Sequence, residues 1–123
     1  MNGHENRLLG RWGEAVAADY LRQHDYQIVA SRWSCRFGEI DLIASDHRYF
    51  CFVEVKLRKS TAYGRAGEFV DFRKQNRLRT TAELYLAKYP TKLQPRFDVI
   101  EVYAPDGIKT VSPEIILHKN AFY

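Results

Sequence analysis

Apolar residues near the start of the chain recur every three to four positions. Leu9, Trp12, Val16 and Tyr20 fall on one stripe, widened by Leu8, Ala17 and Leu21, and this spacing predicts an amphipathic helix over 5–24. Gly10 and Gly13 lie inside it. Glycine is costly in a helix interior, so the pair points to an early fray or to a close backbone approach. The pattern then changes to strand-like runs at 26–34, 38–44 and 49–57, the last being the richest in Phe and Val. The polar connector Ser45-Asp46-His47-Arg48 predicts that the second and third runs form an antiparallel hairpin.

Residues 58–67 hold little that is apolar and include Gly64 and Gly67, which reads as a loop. A second long helix is expected over 68–89, ended by Pro90, with Phe72, Leu78, Ala82, Tyr85, Leu86 and Tyr89 as its apolar stripe. In 96–103, Phe97, Val99 and Glu101 alternate with Asp98, Ile100 and Val102, as in a strand. Asp106-Gly107 marks a turn, and 113–122 reads as a short terminal helix. Helix, three strands, helix, strand and tail make an α/β fold with a mixed sheet, expected as one domain over 1–123.

Candidate chemistry lies in the hairpin. Alternation puts Glu54 and Lys56 on one face of their strand, and Glu39 and Asp41 together on theirs. Ile40, Leu42 and Ala44 are expected to share the opposite, apolar face with Cys51, Val53 and Val55. Burial of that face favours a register in which Asp41 opposes Glu54 and Glu39 opposes Lys56, or one in which Asp41 is diagonal to Glu54. Two carboxylates held close repel each other, and a hard divalent cation relieves the repulsion. Lys56 beside them could orient or deprotonate a water and offset phosphate charge, a pattern that suits phosphodiester hydrolysis. Exposed cross-strand charge pairs of purely structural use are the alternative.

Composition narrows the class. With 123 residues, 46% hydrophobic and 28% charged, the chain is ordinary globular protein, long enough to bury about two-thirds of its unfolded surface. No apolar run approaches the ~20 residues that span a bilayer, and the first ten residues have no signal-like apolar stretch. Cys35 and Cys51 form no CxxC pair, so inert thiols in a reducing compartment, the cytoplasm, are expected. The net charge of +4 is unevenly spread. Lys56, Arg58, Lys59, Arg65, Arg73, Lys74, Arg77 and Arg79 stand against only Glu68 and Asp71 within 56–79. That is an electrostatic footprint for nucleic acid, or else a solvated helix face.

These residues also carry a resemblance. Gly13-Glu14, Phe37-Gly38-Glu39-Ile40-Asp41-Leu42-Ile43 and Phe52-Val53-Glu54-Val55-Lys56-Leu57-Arg58 resemble the YraN-like family of predicted endonucleases. So do Lys74-Gln75 with Leu78, Arg96-Phe97-Asp98-Val99 and Asn120-Ala121-Phe122. The likeness runs from about residue 10 to 122. That family is similar to the restriction-endonuclease-like superfamily and, within it, to archaeal Holliday-junction resolvases. The resemblance implies a central mixed β-sheet flanked by helices and a site built from Glu14, Asp41, Glu54 and Lys56. Mg²⁺ or Mn²⁺ is the implied cofactor, held by Asp41 and Glu54 with the Val55 carbonyl. DNA, branched or otherwise structured, is the implied substrate, and a homodimer the form that resolvases of this kind take. The superfamily's Pro-Asp is Ile40-Asp41 here, which leaves the carboxylate in place.

Other residues take supporting parts in this reading. Glu14 falls about 20° from Leu21 on a helical wheel at ~100° per residue, at the edge of the apolar arc. Glu39 either ligates the cation or pairs with Lys56. Gln75, polar within the second helix's stripe, either bonds the site or satisfies a backbone group. Arg58, Arg65, Arg73, Lys74 and Arg77 are the expected phosphate contacts. Trp33, Tyr63 and Tyr103 either stack on bases or pack locally. The rival functions are a nucleic-acid-binding module that does not cut, or a nuclease subunit that cuts only with a partner.

Overall fold

In the computed structural model, residues 3–59 and 70–122 are described. Helix α1 spans Gly3–Gln23 and is followed by β1 (Gln27–Cys35), β2 (Gly38–Ser45) and β3 (Tyr49–Arg58). Helix α2 (Phe72–Lys88) then leads to β4 (Gln94–Tyr103), a 3₁₀ turn at Gly107–Lys109 and β5 (Glu114–Phe122). The strands form one sheet in the order β1-β2-β3-β4-β5. Every neighbouring pair is antiparallel except β3 and β4. A parallel pair needs a crossover, and the connection between β3 and β4 contains α2. This is a mixed sheet with two helices, an architecture consistent with the restriction-endonuclease-like fold.

Each helix covers a separate core. Ala17 and Leu21 of α1 pack on Leu42, Ala44, Cys51, Val53, Ile100 and Val102. Leu78, Ala82 and Tyr85 of α2 pack on Ile43, Phe50, Phe52 and Val99. Gly13 stays inside an unbroken α1 because Leu57 crosses there, and a Cβ at Gly13 would lie 2.9 Å from Leu57 Cδ2. At Gly38 a Cβ would lie 3.1 Å from Thr81 Oγ1, so α2 sits close on the start of β2. Among the described residues, no helix is long and apolar enough to cross a membrane.

Four expectations need correction. Residues 114–122 are not a helix but edge strand β5, paired with β4 through Val99↔His118 to Tyr103↔Glu114. Its Ile115 and Leu117 face the α1 core, while Phe122 joins the other. Pairing with a neighbouring strand therefore decides this segment, as is usual for β structure. The helix expected over 68–89 begins at Phe72, because the Asp71 side chain caps it by accepting from the Lys74 N–H (2.8 Å). Residues 68 and 69 lie outside the described residues. Phe72 is 71% exposed rather than part of the buried stripe. The Arg79 guanidinium lies 5.8 Å from its ring centroid. Ile40 belongs to the α2 core and not to the face of Leu42. The alternation breaks where Arg32, at φ +54°, falls between the pairs Ser31↔Leu42 and Trp33↔Ile40.

One polar knot ties the α1 side together. Buried Arg96 donates from Nε and Nη2 to the two carboxylate oxygens of buried Asp98, both at 2.9 Å. Arg96 also donates to the Tyr26 hydroxyl (2.9 Å) and stacks over the Tyr49 ring. Asp98 accepts the backbone N–H of Asn120 as well (2.9 Å). The knot thus joins the turn after α1, the start of β4 and the end of β5.

Candidate functional site

The hairpin takes the first of the two expected registers. Leu42 opposes Val53 and Ser45 opposes Phe50, and the same register continued by one step sets Asp41 against Glu54. The backbone ladder stops there. The Val55 N–H donates instead to Asp41 Oδ2 at 2.8 Å. N–H and C=O of one strand residue face the same neighbour, so the Val55 carbonyl is turned toward β2 and Asp41. The carboxylates therefore meet where β2 and β3 part.

Their electrostatics follow from burial and proximity. Glu54 is 8% exposed and Asp41 partly buried. Burial, reinforced by the adjacent Glu54, pushes the Asp41 carboxyl up to about 8. Lys74, in the first turn of α2, places Nζ 3.2 Å from Glu54 Oε2. Burial works against the charge on Lys74, but Glu54 outweighs it and the pKa is raised. Burial and the neighbouring Lys74 shift Lys56 the other way, toward its neutral form. A cleft of about 410 Å³ opens over this group, lined by Gly38, Glu39, Asp41, Glu54, Lys74, Arg77 and Leu78. A larger hollow of about 600 Å³, near the start of α1, is lined mainly by apolar groups such as Leu8, Leu9, Leu57 and Ile108. Chemistry, not size, singles out the smaller one.

Not every expected residue comes to the cleft. Glu14 lies on the α1 side, bonded through Oε1 to Arg32 Nε at 2.8 Å, in a hollow lined also by Arg11 and Arg22. Arg32 is held charged chiefly by Glu14, with smaller contributions from Glu39 and Asp41. On β1 it falls between the pairs Ser31↔Leu42 and Trp33↔Ile40, abreast of Asp41 on the neighbouring strand. Glu39 lines the cleft but forms no ion pair with Lys56, because the hairpin ladder ends before reaching them. Gln75 is committed locally, donating to the Val70 carbonyl (2.9 Å) and accepting from Arg79 (3.1 Å). Arg73 and Arg77 are exposed on α2. Arg58 donates to buried Glu101 at 3.1 Å, and Glu101 also bonds His118 (2.7 Å) and Tyr103 (3.2 Å). Trp33 packs edge-on against Tyr85. Arg65 and Tyr63 lie outside the described residues.

Among the described residues, no three His, Cys, Asp or Glu side chains converge as metal ligands. A cation in the cleft would meet the Asp41 and Glu54 carboxylates, with that of Glu39 on the same lining and the Val55 carbonyl turned toward Asp41. An all-oxygen set with one or two carboxylates, completed by water, is what Mg²⁺ takes. Two residues escaped the sequence reading in these roles. Lys74 is the ion-pair partner of Glu54, and Arg32 that of Glu14. The advance signals for Lys74 were its place in a basic segment and in the Lys74-Gln75 motif, neither of which points to Glu54; for Arg32 there was none.

The model of the uncharacterised protein family UPF0102 matches residues 13–102. The chain belongs to this family. A UPF0102 protein of Clostridium botulinum (strain 657 / Type Ba4) is 42% identical over 119 residues, covering 95% of each chain. Another, of Caldicellulosiruptor bescii, is 42% identical over 118 residues, covering 94% of this chain and 98% of its own. All residues that line the carboxylate cleft fall inside the stretch matched by the UPF0102 model.

Proposed function

We propose that this UPF0102 protein is a metal-dependent endonuclease that hydrolyses phosphodiester bonds in DNA. The observation that carries this reading is the meeting of Asp41 and Glu54 at the opening between β2 and β3, with two lysines beside them. Asp41, Glu54 and the Val55 carbonyl would hold Mg²⁺ or Mn²⁺. Such an ion, when bound, polarises a phosphoryl oxygen and acidifies a water.

The chain's own residues supply the rest. Lys56, shifted toward neutrality by burial and Lys74, orients the attacking water and can take its proton. Arg73 and Arg77 on α2 hold backbone phosphates beside the cleft. Glu39, exposed at the cleft wall, supports the site by contact with water. Branched DNA as preferred substrate and a homodimer as working form rest on the resolvase likeness alone.

Binding and turnover separate this reading from that of a non-cutting module. Asp41→Ala is expected to keep its affinity for labelled DNA in fluorescence anisotropy, because the carboxyl it removes is largely protonated near neutral pH in the metal-free protein. That affinity should fall steeply with salt, as phosphate contacts require. The same variant should lose turnover in Mg²⁺. A protein whose DNA affinity collapses with Asp41→Ala, or does not respond to salt, would contradict the assignment.

A further inference from the structure

We infer that Lys74 is the internal counter-ion of the carboxylate cleft, and that its exchange between Glu54 and a nucleic-acid phosphate couples substrate binding to cation binding. This rests on the reading of the cleft given above and adds a regulatory part to it.

Three observations carry the inference. The ammonium of Lys74 sits on Glu54 itself, 3.2 Å from Oε2, where a cation held by that carboxylate would compete for lone pairs and feel like-charge repulsion. The main chain of Lys74 is anchored, because its N–H is bonded to the capping Asp71 side chain at 2.8 Å. The exposures of the two partners differ. The Glu54 side chain is 9% exposed, whereas that of Lys74 is 40% exposed. The carboxylate is therefore fixed in the cleft, while the lysine's four-carbon stem can turn its head group inward or outward. One turn further along α2, Arg77 lines the same cleft, and a phosphate drawn there would offer Lys74 another partner.

Two consequences follow from linkage. In the free protein Lys74 offsets the buried charge and lowers affinity for a divalent cation. A polyanion that draws Lys74 away raises that affinity, and by reciprocity the cation raises affinity for the polyanion.

The test uses Lys74→Met, which keeps the length and helix preference of the side chain. Mn²⁺ binding is followed by the loss of the free-ion signal in electron paramagnetic resonance, without nucleic acid. Binding of a labelled duplex is followed by anisotropy in EDTA. Lys74→Met is expected to bind Mn²⁺ on the order of tenfold more tightly and the duplex more weakly. Those opposite signs are a signature that loss of structure cannot imitate. If Mn²⁺ binds the wild type and is lost in Asp41→Asn, but Lys74→Met binds it equally or less well, the counter-ion role is wrong and the carboxylate site stands. If Mn²⁺ binds neither protein, or binds regardless of Asp41→Asn, the carboxylate site and the inference resting on it both fall.

Discussion

Asp41→Asn is expected to make the metal-free protein more stable above neutral pH, and to remove a pH dependence that the wild type shows. The folded protein holds the Asp41 carboxyl at about 8, against an ordinary value of 3.8. Between these values the folded chain keeps a proton that the unfolded chain has lost. The stability associated with that proton is complete below about pH 4 and is lost as pH rises through 8. Its size is on the order of a few kcal/mol. Asparagine cannot ionise, and its carbonyl can still accept the Val55 N–H. Urea midpoints of both proteins from pH 5 to 9 in EDTA check this. Parallel curves would mean that burial and the neighbouring Glu54 do not hold the proton on Asp41.

Asp98→Ala is expected to cost about 3–5 kcal/mol, the range for breaking a buried ion pair from one side. Arg96, 8% exposed, would keep its bond to the Tyr26 hydroxyl but lose both bonds to Asp98. The Asn120 N–H would lose its acceptor too, loosening the end of β5. The double variant Arg96→Met with Asp98→Leu should recover much of the loss, because it removes the stranded charge along with its partner. Urea unfolding measures both. A loss under about 1 kcal/mol for the single variant would show that the knot carries little of the fold's stability.

The hairpin was legible because its physics is local. Leu42, Val53 and their neighbours on one face can be buried only in a register that also brings Asp41 to Glu54, and that register is found. The same reasoning placed Val99 and Ile100 on opposite faces of β4. It failed where a distant partner decides. Nothing within residues 114–122 distinguishes a helix from a strand until β4 offers an unpaired edge. The position of Ile40 depends on a left-handed residue, Arg32, in the neighbouring strand. The start of α2 was readable in principle from Asp71, a good capping residue, but the basic and apolar pattern drew the boundary too early.

The site divides in the same way. Asp41, Glu54 and Lys56 follow from strand alternation within one hairpin. Lys74 reaches Glu54 only through the packing of α2 over β2, which includes the close contact at Gly38. The inward reach of Glu14 was inferred from a helical wheel, which gives direction but not distance. In the structure Arg32 meets Glu14 first.

The most direct test of the central claim is cleavage itself. Wild type, Asp41→Ala and Lys56→Ala, prepared identically, are incubated with single-stranded, duplex, flapped and four-way-junction DNA and with RNA. Each is run in Mg²⁺, in Mn²⁺ and in EDTA. The expected result is metal-dependent cutting of DNA by the wild type, strongest on the branched substrates, and its loss in both variants. Equal cutting by all three proteins would contradict the assignment of the carboxylate cleft, and so would no cutting by any of them.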